Sequence, residues 1–174
     1  MDKKDRFIIA NQLKILENLY PDDAQHYAQC RTAFEEGYES HYDWAMEHIS
    51  SDTLNEDVTR EVVDTLDMYR AIYYYQRDNG IDDFNEFSLK FSGYDGNDPQ
   101  ECKMMGYARY FVVELSRFTE VLETQGEHFD FNSHGERRAK YQRMLNIWKE
   151  IPAGTRDGQR HKLTKEQLTN ILEA

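Results

Sequence analysis

A chain of 174 residues and 20.7 kDa suits one domain, which would bury roughly 70% of the surface its unfolded form exposes. Hydrophobic content of 39% with 13% aromatics supports a core, while 31% charged residues and a mean hydropathy of -0.88 describe a well-solvated exterior and exclude disorder throughout. The net charge is -12, no run of 18 apolar residues occurs, and only Cys30 and Cys102 are present, which excludes a membrane-spanning helix, a disulfide framework and a cysteine zinc site.

The first ten residues turn polar again at Asn11, too soon for a signal peptide, so a cytoplasmic location is expected. The first helix is expected over about Asp5 to Leu19, with Ile9, Leu13, Leu16 and Tyr20 on one stripe and Ile8, Ile15 and Leu19 widening it, until Pro21 ends it. A second helix follows through Tyr27, Cys30 and Phe34 to a stop at Gly37. His41, Trp44, Ala45 and His48 fit a short third helix, but imidazoles seven residues apart lie about 10 Å from one another along a helix axis. No metal or other cofactor is expected there or elsewhere, and both cysteines read as small buried hydrophobes.

Thr53-Leu54-Asn55-Glu56 has the form of a capping box and announces a long core helix, about 55–79, striped by Val58, Val62, Leu66, Tyr69 and Tyr73 and stopped at Asn79-Gly80. The triplet Tyr73, Tyr74 and Tyr75 covers most of that helix's circumference, so at least one ring must face another element, a pocket or a subunit. Asp82 is a candidate cap for a short helix ending near Lys90. Residues 91–99 are then dense in turn formers, with Asp98 as N-cap and Pro99 as first helical residue of a second buried helix, about 99–124. A calcium loop at Asp95 is excluded because Gly106 stands where the twelfth-position glutamate belongs. Arg109, set among aromatic and aliphatic residues, needs a carboxylate or a bound anion, and Asp95 is the partner chosen.

Phe129 and Phe131 are expected to fold back from the loop 126–135 onto the core. Tyr141, Met144, Leu145, Trp148 and Ile151 then mark the buried face of a helix. A flexible loop over 152–162 precedes a last short helix capped by Thr164 and Gln167, whose apolar face packs on its own domain or on another subunit. Residues 136–165 hold nine Lys/Arg against three acids, a segment net of +6 that leaves -18 for the remainder. Neutralisation of the acidic regions by this basic segment, within the fold or between subunits, ranks above a nucleic-acid surface, because Lys140, Arg143 and Lys149 lie on different sides of their helix.

Four stretches carry a resemblance: Asn11-Gln12-Leu13-Lys14, Phe91-Ser92-Gly93-Tyr94-Asp95, Tyr107-Ala108-Arg109-Tyr110-Phe111-Val112 and Lys140-Tyr141-Gln142-Arg143-Met144-Leu145-Asn146-Ile147-Trp148. In this order they resemble the YfbU family of functionally uncharacterised bacterial proteins. The resemblance implies an all-α, multihelical single domain with central buried helices, and no catalytic residues. Some relatives carry a DNA-binding helix-turn-helix domain, which implies by association that the module senses a ligand.

No phosphate loop, dinucleotide fingerprint, nucleophile elbow or metal pair occurs, so an enzyme is not the favoured reading. The reading preferred from sequence is a homo-oligomeric regulatory or small-molecule-binding module, with Asp95, Arg109, Tyr73, Tyr74 and Tyr75 as candidate ligand contacts. The alternatives are a hydrolase-like enzyme with a dispersed site using Asp95 and Arg109, and a weak nucleic-acid binder through residues 137–165.

Overall fold

The computed structural model describes residues 1–80, 84–152 and 162–174, in which helices dominate and no strand forms. The cap expected at Asp82, and all but the two end residues of the loop expected over 152–162, fall outside those described. Contacts gather into two compact units, Met1–Thr53 and Leu54–Ala174.

In the first unit α1 (Lys3–Leu19) packs along α2 (Ala24–Glu36). Asp2 caps α1 in a reciprocal box with Asp5, its side chain accepting from the Asp5 amide at 2.8 Å. Pro21–Asp23 form a single 3-10 turn that reverses the chain, and Gly37 ends α2 with φ of 79°. Ala10, Leu13, Cys30, Phe34 and Tyr42 make a small core, in which the Phe34 and Tyr42 rings stack at 4.4 Å. The third helix is a 3-10 helix, Glu39–Met46, so His41 and Trp44 eclipse one another and their rings meet edge to face. Ile8, Ile15 and Leu19 do not widen the buried stripe of α1; all three are exposed, because α2 covers only the arc centred on Ala10 and Leu13.

The second unit is built on α3 (Glu56–Asn79), whose Val62, Leu66, Met68, Ala71 and Ile72 are fully inaccessible. Its cap is Asn55, which accepts from the Val58 amide at 2.9 Å, rather than Thr53. Asp98 caps α4 (Pro99–Arg109) by accepting from the Gln100 and Glu101 amides. The helix expected over 99–124 is interrupted. After α4 the chain makes a π turn at Tyr110–Glu114 and leaves helical geometry at Ser116 and Phe118, both with positive φ, before the one-turn α5 (Glu120–Glu123). Tertiary contact pins the break: Phe118 turns back to stack on Phe111, the Arg70 guanidinium sits 4.3 Å from the Phe118 ring centre, and the Arg117 amide donates to Phe111 O. This segment is buried along one side only, through Met104, Ala108, Val112 and Val121, while Tyr110, Val113 and Leu115 are exposed.

Helix α6 (Arg138–Glu150) buries Tyr141, Met144, Leu145 and Trp148, as its spacing predicts. Helix α7 (Lys165–Leu172) starts at the Thr164–Gln167 box and lays Leu168 and Ile171, both fully inaccessible, on the core of the same unit beside α6.

Candidate functional site

Glu101, in the first turn of α4, is 2% exposed, and a carboxylate so placed must be compensated by hydrogen bonds. Its oxygens accept from three backbone amides: Asp95 at 2.8 Å, Arg137 at 3.1 Å and Arg138 at 2.9 Å. One side chain thereby ties the loop before α4 to the start of α6, where it also answers the positive end of the α6 dipole. Arg138 returns across to α3 with a two-pronged grip on Glu61, both bonds 2.9 Å, and Lys149 reaches Asp64 at 2.9 Å. Two basic residues of the 137–165 segment, Arg138 and Lys149, are thus paired with acidic residues of α3, in line with the neutralisation expected from the charge distribution.

The same joint holds the loop motif against the α6 motif. The Tyr141 hydroxyl donates to Gly93 O at 3.0 Å and accepts from the Ser92 amide at 3.2 Å, while Tyr69, Phe91, Tyr94 and Tyr141 pack ring to ring at 5.5 to 5.7 Å. Tyr94 forms an isolated bridge with Asn132: its amide donates to Phe131 O and its carbonyl accepts from Ser133. Gly93, at φ of 85°, lies so close to Phe131 that an added Cβ would stand 1.9 Å from its carbonyl oxygen. Phe131 and Phe129 do fold onto the core. Burial pushes the Tyr69, Tyr94 and Tyr141 hydroxyls well above the ordinary tyrosine range. Buried this way, these residues build the joint and offer a ligand nothing to touch.

The sequence-predicted contacts are scattered. The Asp95 carboxylate accepts from the amide and the side chain of its neighbour Asn97, closing a turn. Arg109 stands exposed at the far end of α4, roughly 16 Å further along at 1.5 Å per residue. No ion pair joins the two. Tyr75 is buried against Phe84, whereas Tyr73 and Tyr74 turn outward and donate to Glu123 and Glu120 of α5, bonds that raise both hydroxyls above their ordinary range. The Arg77 guanidinium lies 4.8 Å from the Tyr74 ring centre. Of the five candidates, Tyr73 and Tyr74 alone are brought together at a surface.

Concave surface lies elsewhere. A cleft of about 460 Å³ runs between α3 and α6, lined by Asp57, Arg60, Glu61, Asp64, Gln142, Asn146 and Lys149 among others. A second hollow, about 280 Å³, lies within the first unit, with Leu13, Leu16 and Tyr27 as floor and Asp23, His26 and His48 at its rim. Among the described residues no cluster of His, Cys, Asp and Glu is arranged to hold a metal, and no helix is long and apolar enough to cross a membrane. Cys30 is buried, which raises its thiol, while Cys102 is exposed, contrary to the sequence reading.

The feature that sequence reasoning passed over is on the first unit. Its 53 residues carry ten of the fourteen large apolar side chains exposed among the described residues, with Phe7 68%, Leu19 65% and Ile15 59% accessible. The signal was present, since helical spacing gave α1 more apolar residues than one partner helix could cover.

Comparison with known proteins accords with these motifs. The family model described as the YfbU domain matches residues 1–174. The UPF0304 protein MJECS11 of Methanocaldococcus jannaschii is 30% identical over 177 residues, covering 100% of this chain and 99% of the relative. The chain belongs to the YfbU family.

Proposed function

We propose that this protein is a self-associating, small-molecule-binding module whose first unit is the subunit contact. The observation that carries the reading is the apolar exterior of Met1–Thr53, which has only five buried core hydrophobics in its own cluster yet ten large apolar side chains facing outward. Of these, Ile8, Ile15 and Leu19 share one side of α1; an exposed apolar stripe of this kind marks a contact, and a second copy of the chain supplies the same surface in equal concentration. The last helix does not compete for this role, because its apolar face is already spent on its own unit.

Sedimentation velocity over a wide range of protein concentration tests the assembly. Wild type should shift from a smaller to a larger species, and the double substitution Ile15→Glu with Leu19→Glu should abolish the shift while helical content is kept. A wild-type chain that stays monomeric at the highest concentration overturns the reading.

The binding half of the proposal is supported by the α3/α6 cleft, where carboxylates, carboxamides and two cations line one hollow. It predicts that a panel of polar metabolites contains one that raises the melting temperature, and that Asn146→Leu removes the effect. No stabilising compound, or one indifferent to Asn146→Leu, would remove this half and leave the assembly standing.

A further inference from the structure

Resting on that assembly reading, we infer that two copies pair α1 against α1 in antiparallel register, with the twofold axis passing between Asn11 and Gln12. Ile8, Ile15 and Leu19 are separated by seven and four residues, which at 100° per residue confines them to an arc of about 40° on the side of α1 that α2 leaves open. Asn11 and Gln12 flank the middle of that stripe and are exposed. An axis between them sets Ile8 of one copy opposite Ile15 of the other, twice by symmetry, and sets the two carboxamides against each other, each able to donate and accept. It also sets Lys4 opposite Leu19, where a lysine stem covers apolar surface while its ammonium reaches onward.

Charge fixes the direction. Lys3 and Lys4 at the start of α1 and Asp22 and Asp23 just beyond its end are all exposed, and no ion pair engages any of them among the described residues. The other acids nearby are occupied: Asp2 and Asp5 close the cap, and Glu17 is held by Arg31 at 3.1 Å. Antiparallel pairing brings Lys4, which lies on the stripe's side of α1, to the aspartates of the other copy at both ends, while Lys3, about 140° round the helix from the stripe, adds its charge from a greater distance. Parallel pairing would set lysine against lysine and aspartate against aspartate. The carboxamide pair at the axis further penalises a slipped register, because a shift leaves amides facing isoleucine.

The test is a charge swap on the full chain. Lys3→Glu with Lys4→Glu should weaken self-association at low salt by about tenfold or more. Asp22→Lys with Asp23→Lys should do the same, and all four substitutions in one chain should restore wild-type association. All four positions are exposed, and circular dichroism checks that each variant keeps its helix content. If wild type associates and Ile15→Glu with Leu19→Glu prevents it, but neither charge pair matters or the fourfold swap fails to restore association, the register is wrong and the assembly reading survives. If wild type does not associate, both fall.

Discussion

Replacing Glu101 with glutamine is the sharpest test of the joint. The substitution preserves size and removes the charge, but it also turns one oxygen into an NH2 group that must face backbone donors. Both oxygens are in use, Oε1 by the Arg137 and Arg138 amides and Oε2 by those of Asp95 and Arg137. Either orientation of the amide therefore opposes at least one N–H with another N–H in a site 2% exposed. Losing one bond to a charged acceptor and weakening the rest costs about 3 kcal/mol, taking roughly 1.5–3 kcal/mol for each bond to a charged group. With a urea dependence of about 2 kcal/mol per molar, the midpoint should fall by about 1.5 M. The chain has two tryptophans, exposed Trp44 in the first unit and buried Trp148 in the second. Urea unfolding followed by fluorescence in a Trp44→Phe background thus reports the second unit alone. A midpoint within about 0.3 M of the Trp44→Phe parent, equivalent to about 0.6 kcal/mol at the same slope, would refute the assignment of Glu101 as the tie between the loop and α6.

Three further outcomes follow from local geometry. Gly93→Ala should prevent folding of the second unit, because the new methyl meets Phe131 backbone at positive φ. Gly96→Ala should fall between, since its methyl crowds an Asn132 side chain whose Oδ1 accepts from the Gly96 and His134 amides, and exposed Gly106→Ala inside α4 should stabilise by about 0.5–1 kcal/mol; yields and urea midpoints rank the three. Tyr69, Tyr94 and Tyr141 have folded pKa values raised above the unfolded one, so their stability contribution is complete below about pH 10 and is lost as pH climbs beyond it, at about 1.4 kcal/mol per pH unit for each hydroxyl. Phenolate absorbance should accordingly show at most nine of the twelve tyrosines titrating before a cooperative alkaline unfolding; smooth titration of all twelve in the folded protein would contradict the burial. A thiol reagent should label Cys102 rapidly in native protein and Cys30 only on unfolding, read by mass spectrometry of the peptides.

Much of the fold was legible because most helices announce themselves twice, by periodicity and by their ends. Asp98-Pro99, Gly37, Gly80 and the Thr164–Gln167 box all act as their residue types predict. The start of α3 agrees with the expected 55–79, and only its capping residue differs, because Thr53 and Asn55 are both competent caps and the asparagine wins in three dimensions. The break at 115–119 was invisible because no proline or glycine marks it; what bends the chain is the grip of Phe111 and Arg70 on Phe118. The site was less legible than the fold. Glu101 reads from sequence as an acid complementing a helix dipole, and its partners beyond Asp95 come from 36 and 37 residues downstream. The Tyr73-Tyr74-Tyr75 triplet signalled that at least one ring must face another element, a pocket or a subunit, and two face α5, on glutamates no spacing rule could nominate.

The convergence of Phe91 to Asp95 with Tyr141 on one buried joint bears on how such chains are grouped. A search that scores those positions samples residues under the strictest packing demand, so it gathers molecules that close this joint in the same way, whatever they meet at their exteriors. Recognition strings of this kind sort architectures. The stretch Asn11-Gln12-Leu13-Lys14 on α1 differs in kind, since Leu13 is packed while Asn11 and Gln12 face outward, so what it carries is only partly set by packing.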